Sequence, residues 1–189
     1  MKKIPTLFVR EFEGHKIKGI TDQVTPGLEW VLEGDGVPTV KWDGACCAMI
    51  GQRFYKRYDA KKGKNPPAGA IPCCDPDPVT GHWPHWVPVD VNNPADRWFL
   101  AAYGNYGKAP DWTYEAVGPH FQGNPYGLDA DTLIPHGKAV IEDLVLTFDG
   151  IREYLTDHII EGIVFWLDGE PRCKIKRTDF GLEWPVKEE

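Results

Sequence analysis

The chain has 189 residues, 42% hydrophobic and 26% charged, with 21 Lys/Arg against 28 Asp/Glu for a net charge of −7. This length supports one self-sufficient core with at most a small appendage, and the acidic balance excludes a polycation that coats nucleic acid by net charge. No long apolar run follows the basic first residues, so neither a signal peptide nor a membrane span is read, and the five cysteines are expected to be free thiols in a reducing cytoplasm.

In chain order, residues 1–28 read as an irregular lead-in, broken by Pro5, Gly14, Gly19, Pro26 and Gly27. Residues 29–33 and 37–42 read as two short strands around the turn signal Gly34-Asp35-Gly36. An apolar run at 45–50 and an alternating basic and aromatic run at 53–58 predict a hairpin through Gly51-Gln52. Residues 59–95 are rich in Pro, Gly and Asp and read as a long ordered loop or insertion, because Trp83 and Trp86 call for burial. A helix is expected over 95–103, a strand over 112–117 and a loop over 121–131. A second helix is expected over 148–157 with Thr147 as its N-cap. Strands at 163–167 and 172–176 are joined by Asp168-Gly169, a strong hairpin turn. Mixed strands with few helices predict an α+β domain with antiparallel sheets.

The charge is uneven. Residues 1–64 carry 12 Lys/Arg against 8 Asp/Glu, and the remainder carries 9 against 20. Arg53, Lys56, Arg57, Lys61, Lys62 and Lys64 crowd around Asp59, which suits local phosphate contact, with a solvated hairpin edge as the alternative. Cys73, Cys74, His82 and His85 are zinc-ligand types, but adjacent cysteines before a long gap match no regular zinc spacing and are not read as a metal site. Cys46 and Cys47 read as small core residues.

Four stretches carry chemistry: Lys41-Trp42-Asp43-Gly44 at a strand end, a strand containing Glu115 that runs into Gly118-Pro119, Glu161-Gly162-Ile163-Val164-Phe165, and Lys174-Ile175-Lys176-Arg177. A lysine nucleophile must lose its proton, which nearby cations or burial favour. Lys174 and Lys176 alternate on a strand and so share a face. A glycine at 44 allows close backbone approach.

In order and spacing these stretches resemble the covalent nucleotidyltransferase superfamily of polynucleotide ligases and mRNA capping enzymes, and in detail its ATP-dependent RNA ligase branch. Over residues 29–184 the resemblance implies an ATP-grasp-like nucleotidyltransferase domain of the ligase type, with two antiparallel sheets, flanking helices and a nucleotide cleft between the sheets. It implies that Lys41 attacks the α-phosphate of ATP, releases pyrophosphate and holds AMP, before transfer to an RNA 5′-phosphate and sealing to a 3′-hydroxyl. Asp43 and Gly44 would accompany the lysine, and Glu115 would bond the ribose. Glu161 would hold Mg²⁺ or Mn²⁺, while Lys174 and Lys176 would grip the triphosphate. Arg57 or Arg53, with Arg57 preferred, would contact the ribose or the RNA end. The adenine platform falls at 133–136, with Ile134 preferred and Phe148 as the alternative. Cys46 stands where ligases and capping enzymes often carry Arg, which favours the RNA branch over a minimal DNA ligase or capping enzyme. A non-catalytic nucleotide- or RNA-binding module is the remaining reading. Because five residues follow Trp184, no C-terminal oligonucleotide-binding domain is expected, and an accessory protein could take its place.

Overall fold

A computed structural model describes residues 3–14, 16–61 and 63–186, so Lys62 of the basic stripe lies outside the described residues. The chain resolves into two compact units. One is Asp43–His136; the other combines Ile4–Trp42 with the segment that begins at Gly137. Strands run as β1 (Phe8–Glu13), β2 (Lys16–Val24), β3 (Val37–Lys41), β4 (Ala45–Ile50), β5 (Arg53–Ala60), β6 (Ile71–Pro72), β7 (Trp83–Pro88), β8 (Trp112–Val117), β9 (Thr132–Pro135), β10 (Gly162–Leu167) and β11 (Glu170–Lys176). The α-helices are α1 (Trp30–Glu33), α2 (Arg97–Tyr106) and α3 (Phe148–Asp157). The class is α+β, and every strand-to-strand ladder is antiparallel. No helix among the described residues is long and apolar enough to cross a membrane.

The unit Asp43–His136 is built on a six-stranded sheet, in the order β6-β7-β5-β4-β8-β9. Its strands alternate between two uses. Cys47, Met49, Phe54, Tyr114, Ala116 and Leu133 turn to the face shared with Ala102, Phe99 and Tyr103 of α2 and form one apolar core. A smaller cluster of Ala48, Tyr55 and Trp86, with Cys46 and Cys73 against it, lies on the opposite face. The Gly51-Gln52 turn between β4 and β5 has both residues at positive φ, as a two-residue hairpin requires.

The other unit carries a three-stranded sheet, β11-β10-β3, and the two-stranded ribbon β1-β2. Its core joins Leu7, Phe8, Val31, Ile151, Leu155, Ile163, Phe165 and Ile175. Thr147 caps α3, its hydroxyl accepting from Gly150 N at 3.0 Å. Asp168 and Gly169, at φ 53° and 75°, turn β10 into β11.

Four expectations are corrected. Residues 8–13 and 16–24 are paired strands, not irregular lead-in: Gly14, at φ 62°, is the hairpin turn, and two register shifts break the alternation that would have marked the strands. Residues 30–33 form a helical turn, because Gly34 is its left-handed C-cap, with N–H directed at the Trp30 and Val31 carbonyls. The stretch 59–95 contains β7, paired with β5 from Trp83 to Pro88. Its prolines are tolerated because β6 covers only His85 and Trp86 of the outer edge. Finally, instead of the expected pair of sheets, the described residues form three: one of six strands, one of three and one of two.

Candidate functional site

In the three-stranded sheet, Gly162 of β10 stands opposite Lys41 of β3 on one side and Lys176 of β11 on the other. The next row on that face is Thr39, Val164 and Lys174. Val40, Ile163 and Ile175 turn the other way, into the core, so the pleat commits all three lysines to one face. Gly162 cannot be larger, since a Cβ there would lie 2.2 Å from the Ile175 carbonyl oxygen.

The residue before that glycine, Glu161, is buried and accepts from both neighbouring lysines. Lys41 Nζ donates to Oε2 and Lys176 Nζ to Oε1. Backbone bonds fix the lysines' strand. Lys176 N–H donates to Asp179 Oδ2 at 2.9 Å, and Asp179 Oδ1 accepts from Arg10 at 2.8 Å. On the outer side of β11, Leu7 N–H donates to the Lys174 carbonyl at 2.8 Å and Lys174 N–H to the Pro5 carbonyl at 3.0 Å. Burial, then the charges of Lys41 and Lys176, push the Lys174 amine down to about 8. Arg177 belongs to the framework. Its buried guanidinium donates to the carbonyls of Leu155, His158 and Glu183, closing the C-terminal end of α3.

The unit Asp43–His136 holds a second group of predicted residues. Glu115 of β8 pairs directly with Cys46 of β4 and with Ile134 of β9, so all three project from one face. Glu115 Oε1 accepts from Gly44 N–H at 3.1 Å. Oε2 lies 2.9 Å from His136 Nε2, and His136 Nδ1 lies 3.0 Å from Thr113 Oγ1. A Cβ on Gly44 would meet the Ala116 carbonyl oxygen at 2.1 Å, so only glycine lets the chain pass this close to β8. Asp43 N–H donates to the Tyr126 hydroxyl at 2.5 Å, and Gln122 donates to the Gly44 carbonyl at 3.1 Å.

Arg57, on the same face as Cys46, bonds Asp59 at 2.9 Å and lies against Trp86 of β7 in register. Arg53 lies over the Tyr55 ring at the hairpin end. Lys56 turns to the other face, where it is paired with buried Asp96, and so leaves the basic stripe. Ile134 is half-buried, whereas Phe148 packs at 5.0 Å on Phe8 inside the core of the other unit. Cys47 is core, as read. Cys46 is instead half-buried beside Glu115, with its thiol pushed up to about 12 by burial and by the Glu115 charge. His85 is buried with Nδ1 2.8 Å from the Trp83 carbonyl, and Cys74 accepts from Trp83 Nε1 through its carbonyl.

Sequence reasoning reached Lys41, Glu161, Lys174 and Lys176 but did not see that Glu161 is shared. It did not find Tyr126, Gln122 or Arg10, each of which acts across a long sequence separation, nor Asp179, which caps the Lys176 N–H three residues away but meets Arg10 only through the fold. His136 was present only as the end of the 133–136 stretch.

These features define an α+β protein with antiparallel sheets in which a lysine, a buried carboxylate and a second lysine meet at strand ends. No protein-family model matches the chain. It is similar to RNA ligase 1 of Rattus norvegicus, 30% identical over 98% of this chain and 82% of that protein. It is similar also to RNA ligase 1 of Pongo abelii, 27% identical over 79% of this chain and 69% of that protein. With RNA ligase 1 of Danio rerio it is 30% identical over 56% of this chain and 43% of the relative. The chain belongs to the RNA ligase family represented by these proteins.

Proposed function

We propose that the chain is an ATP-dependent RNA ligase working through a lysyl-AMP intermediate. The observation that carries this reading is Lys41 and Lys176 held on the two oxygens of buried Glu161, with Lys174 on the same face. In the first step the Lys41 amine attacks the α-phosphorus of ATP and pyrophosphate leaves. The proton that Lys41 must lose is the one it donates to Glu161, and Glu161 takes it. Lys174 and Lys176 offset charge that builds on the leaving pyrophosphate. In the second step a 5′-phosphate oxygen of RNA attacks the AMP phosphorus and the Lys41 nitrogen leaves. In the third, a 3′-hydroxyl attacks the activated 5′-phosphate, AMP leaves and the strand is sealed.

A buried carboxylate is the donor type Mg²⁺ or Mn²⁺ takes, and Glu161 would hold the ion, which offsets phosphate charge when bound. Both Glu161 oxygens are engaged by lysines. Once the proton that Glu161 takes from Lys41 has passed to solvent, Oε2 has lost its cationic partner and would be free to face the ion. Glu115 accepts from a ribose hydroxyl, Ile134 packs on adenine, Arg57 contacts the ribose or RNA end, and Asp43-Gly44 holds the chain after the nucleophile.

Labelled ATP with Mg²⁺, followed by a denaturing gel, tests the first step. Label retained by the wild type and lost in a folded Lys41→Ala variant is expected; a labelled Lys41→Ala protein overturns the assignment. Joining of 5′-phosphate and 3′-hydroxyl RNA ends tests the rest.

A further inference from the structure

We propose that Cys46, Glu115 and His136 form a site for a thiophilic divalent cation of the Zn²⁺ type, and that filling it takes Glu115 away from nucleotide; the second clause rests on the function proposed above. The three residues come from adjacent strands or from the residue directly after one. Cys46 and Glu115 are register partners, Glu115 pairs with Ile134, and His136 follows two positions later on the same face. One ligand atom from each lies within 4.8 Å of the other two. Around a tetrahedral zinc with bonds of about 2.0–2.3 Å, ligand atoms lie about 3.3–3.8 Å apart. The carboxylate and imidazole stand 2.9 Å apart, so a cation between them would part them by about 0.4 Å while the thiol, within 4.8 Å of both, closes in.

The surroundings fit a metal. His136 Nδ1 has Thr113 Oγ1 at 3.0 Å, a hydroxyl that would accept from Nδ1–H once the Nε2 proton has moved there and Nε2 binds a metal. Gly44 N–H holds Glu115 Oε1 and so orients the carboxylate. In the metal-free protein, the Nε2 proton of His136 bridges to Glu115 Oε2, and a cation would replace that proton. Burial keeps Cys46 as a thiol. On binding, a metal–sulfur bond forms and the S–H proton passes to solvent. The Arg57 guanidinium, on the same face, favours the thiolate while opposing a cation, but it is engaged by Asp59 at 2.9 Å.

The sulfur ligand selects against Mg²⁺, a hard ion that prefers oxygen. The catalytic ion and this one would therefore occupy different places. All three side chains are half-buried, so an ion in solution can reach them. Three protein ligands leave one zinc position open for water. A bound zinc and a ribose hydroxyl compete for the same carboxylate, which predicts inhibition of adenylation by zinc in the presence of excess Mg²⁺.

The test has two readouts on the whole chain. Equilibrium dialysis with Zn²⁺ is expected to give tight binding that falls at least tenfold in Cys46→Ala and in His136→Ala. Co²⁺ is expected to give a thiolate charge-transfer absorption that Cys46→Ala abolishes. Unchanged zinc affinity in both folded variants, or a Co²⁺ spectrum without the thiolate band, overturns the site. In the labelling assay, zinc is expected to inhibit the wild type, while Cys46→Ala keeps its zinc-free labelling and needs at least tenfold more zinc for the same inhibition. Equal zinc sensitivity of both proteins overturns the competition. A wild type that binds zinc through these residues, yet never takes label even without zinc, leaves the metal site standing and removes the proposed function.

Discussion

Lys41 Nζ donates to Oε2 of Glu161, whose successor in the chain, Gly162, lies directly opposite Lys41 across the β3–β10 pair. The nucleophile candidate and its carboxylate are thus fixed by strand pairing. The opposite oxygen of Glu161 is held by Lys176, so the carboxylate cannot turn toward Lys41 alone. Exchanging Glu161 for Gln keeps the shape but turns an amide N–H₂ toward one of the two lysines, placing donor against donor. Glu161→Gln is expected to slow single-turnover adenylation by about two to three decades, as the loss of comparable preorganised charge-stabilising groups does. Retention of the wild-type rate would remove Glu161 from the chemistry.

Lys174 supplies a pH dependence. Its amine is lowered to about 8 by burial and two neighbouring lysines, so it loses its charge as pH rises through that value. If it grips the triphosphate as a cation, KM for ATP should rise between pH 7 and 9 (a range about one unit either side of the shifted value). Lys174→Arg should flatten the rise, since guanidinium stays charged. The stability effect has the opposite sign. The folded value lies below the unfolded one, so the unfolded chain binds more protons from about 8 to 10.5, and stability increases over that window. A flat KM profile in the wild type would argue against a cationic role for Lys174.

Two glycines test close backbone packing. A methyl at Gly44 would lie 2.1 Å from the Ala116 carbonyl oxygen, and one at Gly162 would lie 2.2 Å from that of Ile175. Gly162→Ala should push β10 from β11 and separate Lys176 from Glu161; Gly44→Ala should break the Gly44–Glu115 bond. Both are expected to lower Tm and to lose labelling even below their own unfolding transition. Crystallography of either variant with an unshifted backbone would contradict this.

Arg172 and Arg177 flank the lysine pair yet should behave differently. Arg172 is exposed, 3.9 Å from exposed Glu170, and Arg172→Ala should change stability by less than about 0.5 kcal/mol. Arg177→Met strips buried partners from the carbonyls of Leu155, His158 and Glu183 and should destabilise by about 2–3 kcal/mol. Chemical denaturation measures both. For either variant, adenylation assayed while folded should stay within about threefold of the wild type, a change of less than about 0.7 kcal/mol in the barrier. A strong catalytic loss in folded Arg172→Ala would place it with the lysines.

Local chemistry determined a good part of this protein from sequence alone. Strand β8, helix α3 with its Thr147 cap and the β10–β11 hairpin through Asp168-Gly169 all follow from periodicity, capping and turn preference within a few residues. The same period-2 rule placed Lys174 and Lys176 on one face before any strand pairing was known. What tertiary structure decided is which distant residues share a carboxylate or a face. Glu161 between Lys41 and Lys176 depends on β10 pairing with both β3 and β11. The meeting of Cys46, Glu115 and His136 depends on the order β4-β8-β9, and no spacing within the chain encodes it. Gly14 and Gly34 show the same limit: a glycine at positive φ reads alike whether it turns a hairpin or caps a helix. Only the hydrogen-bond partners that the fold supplies distinguish the two.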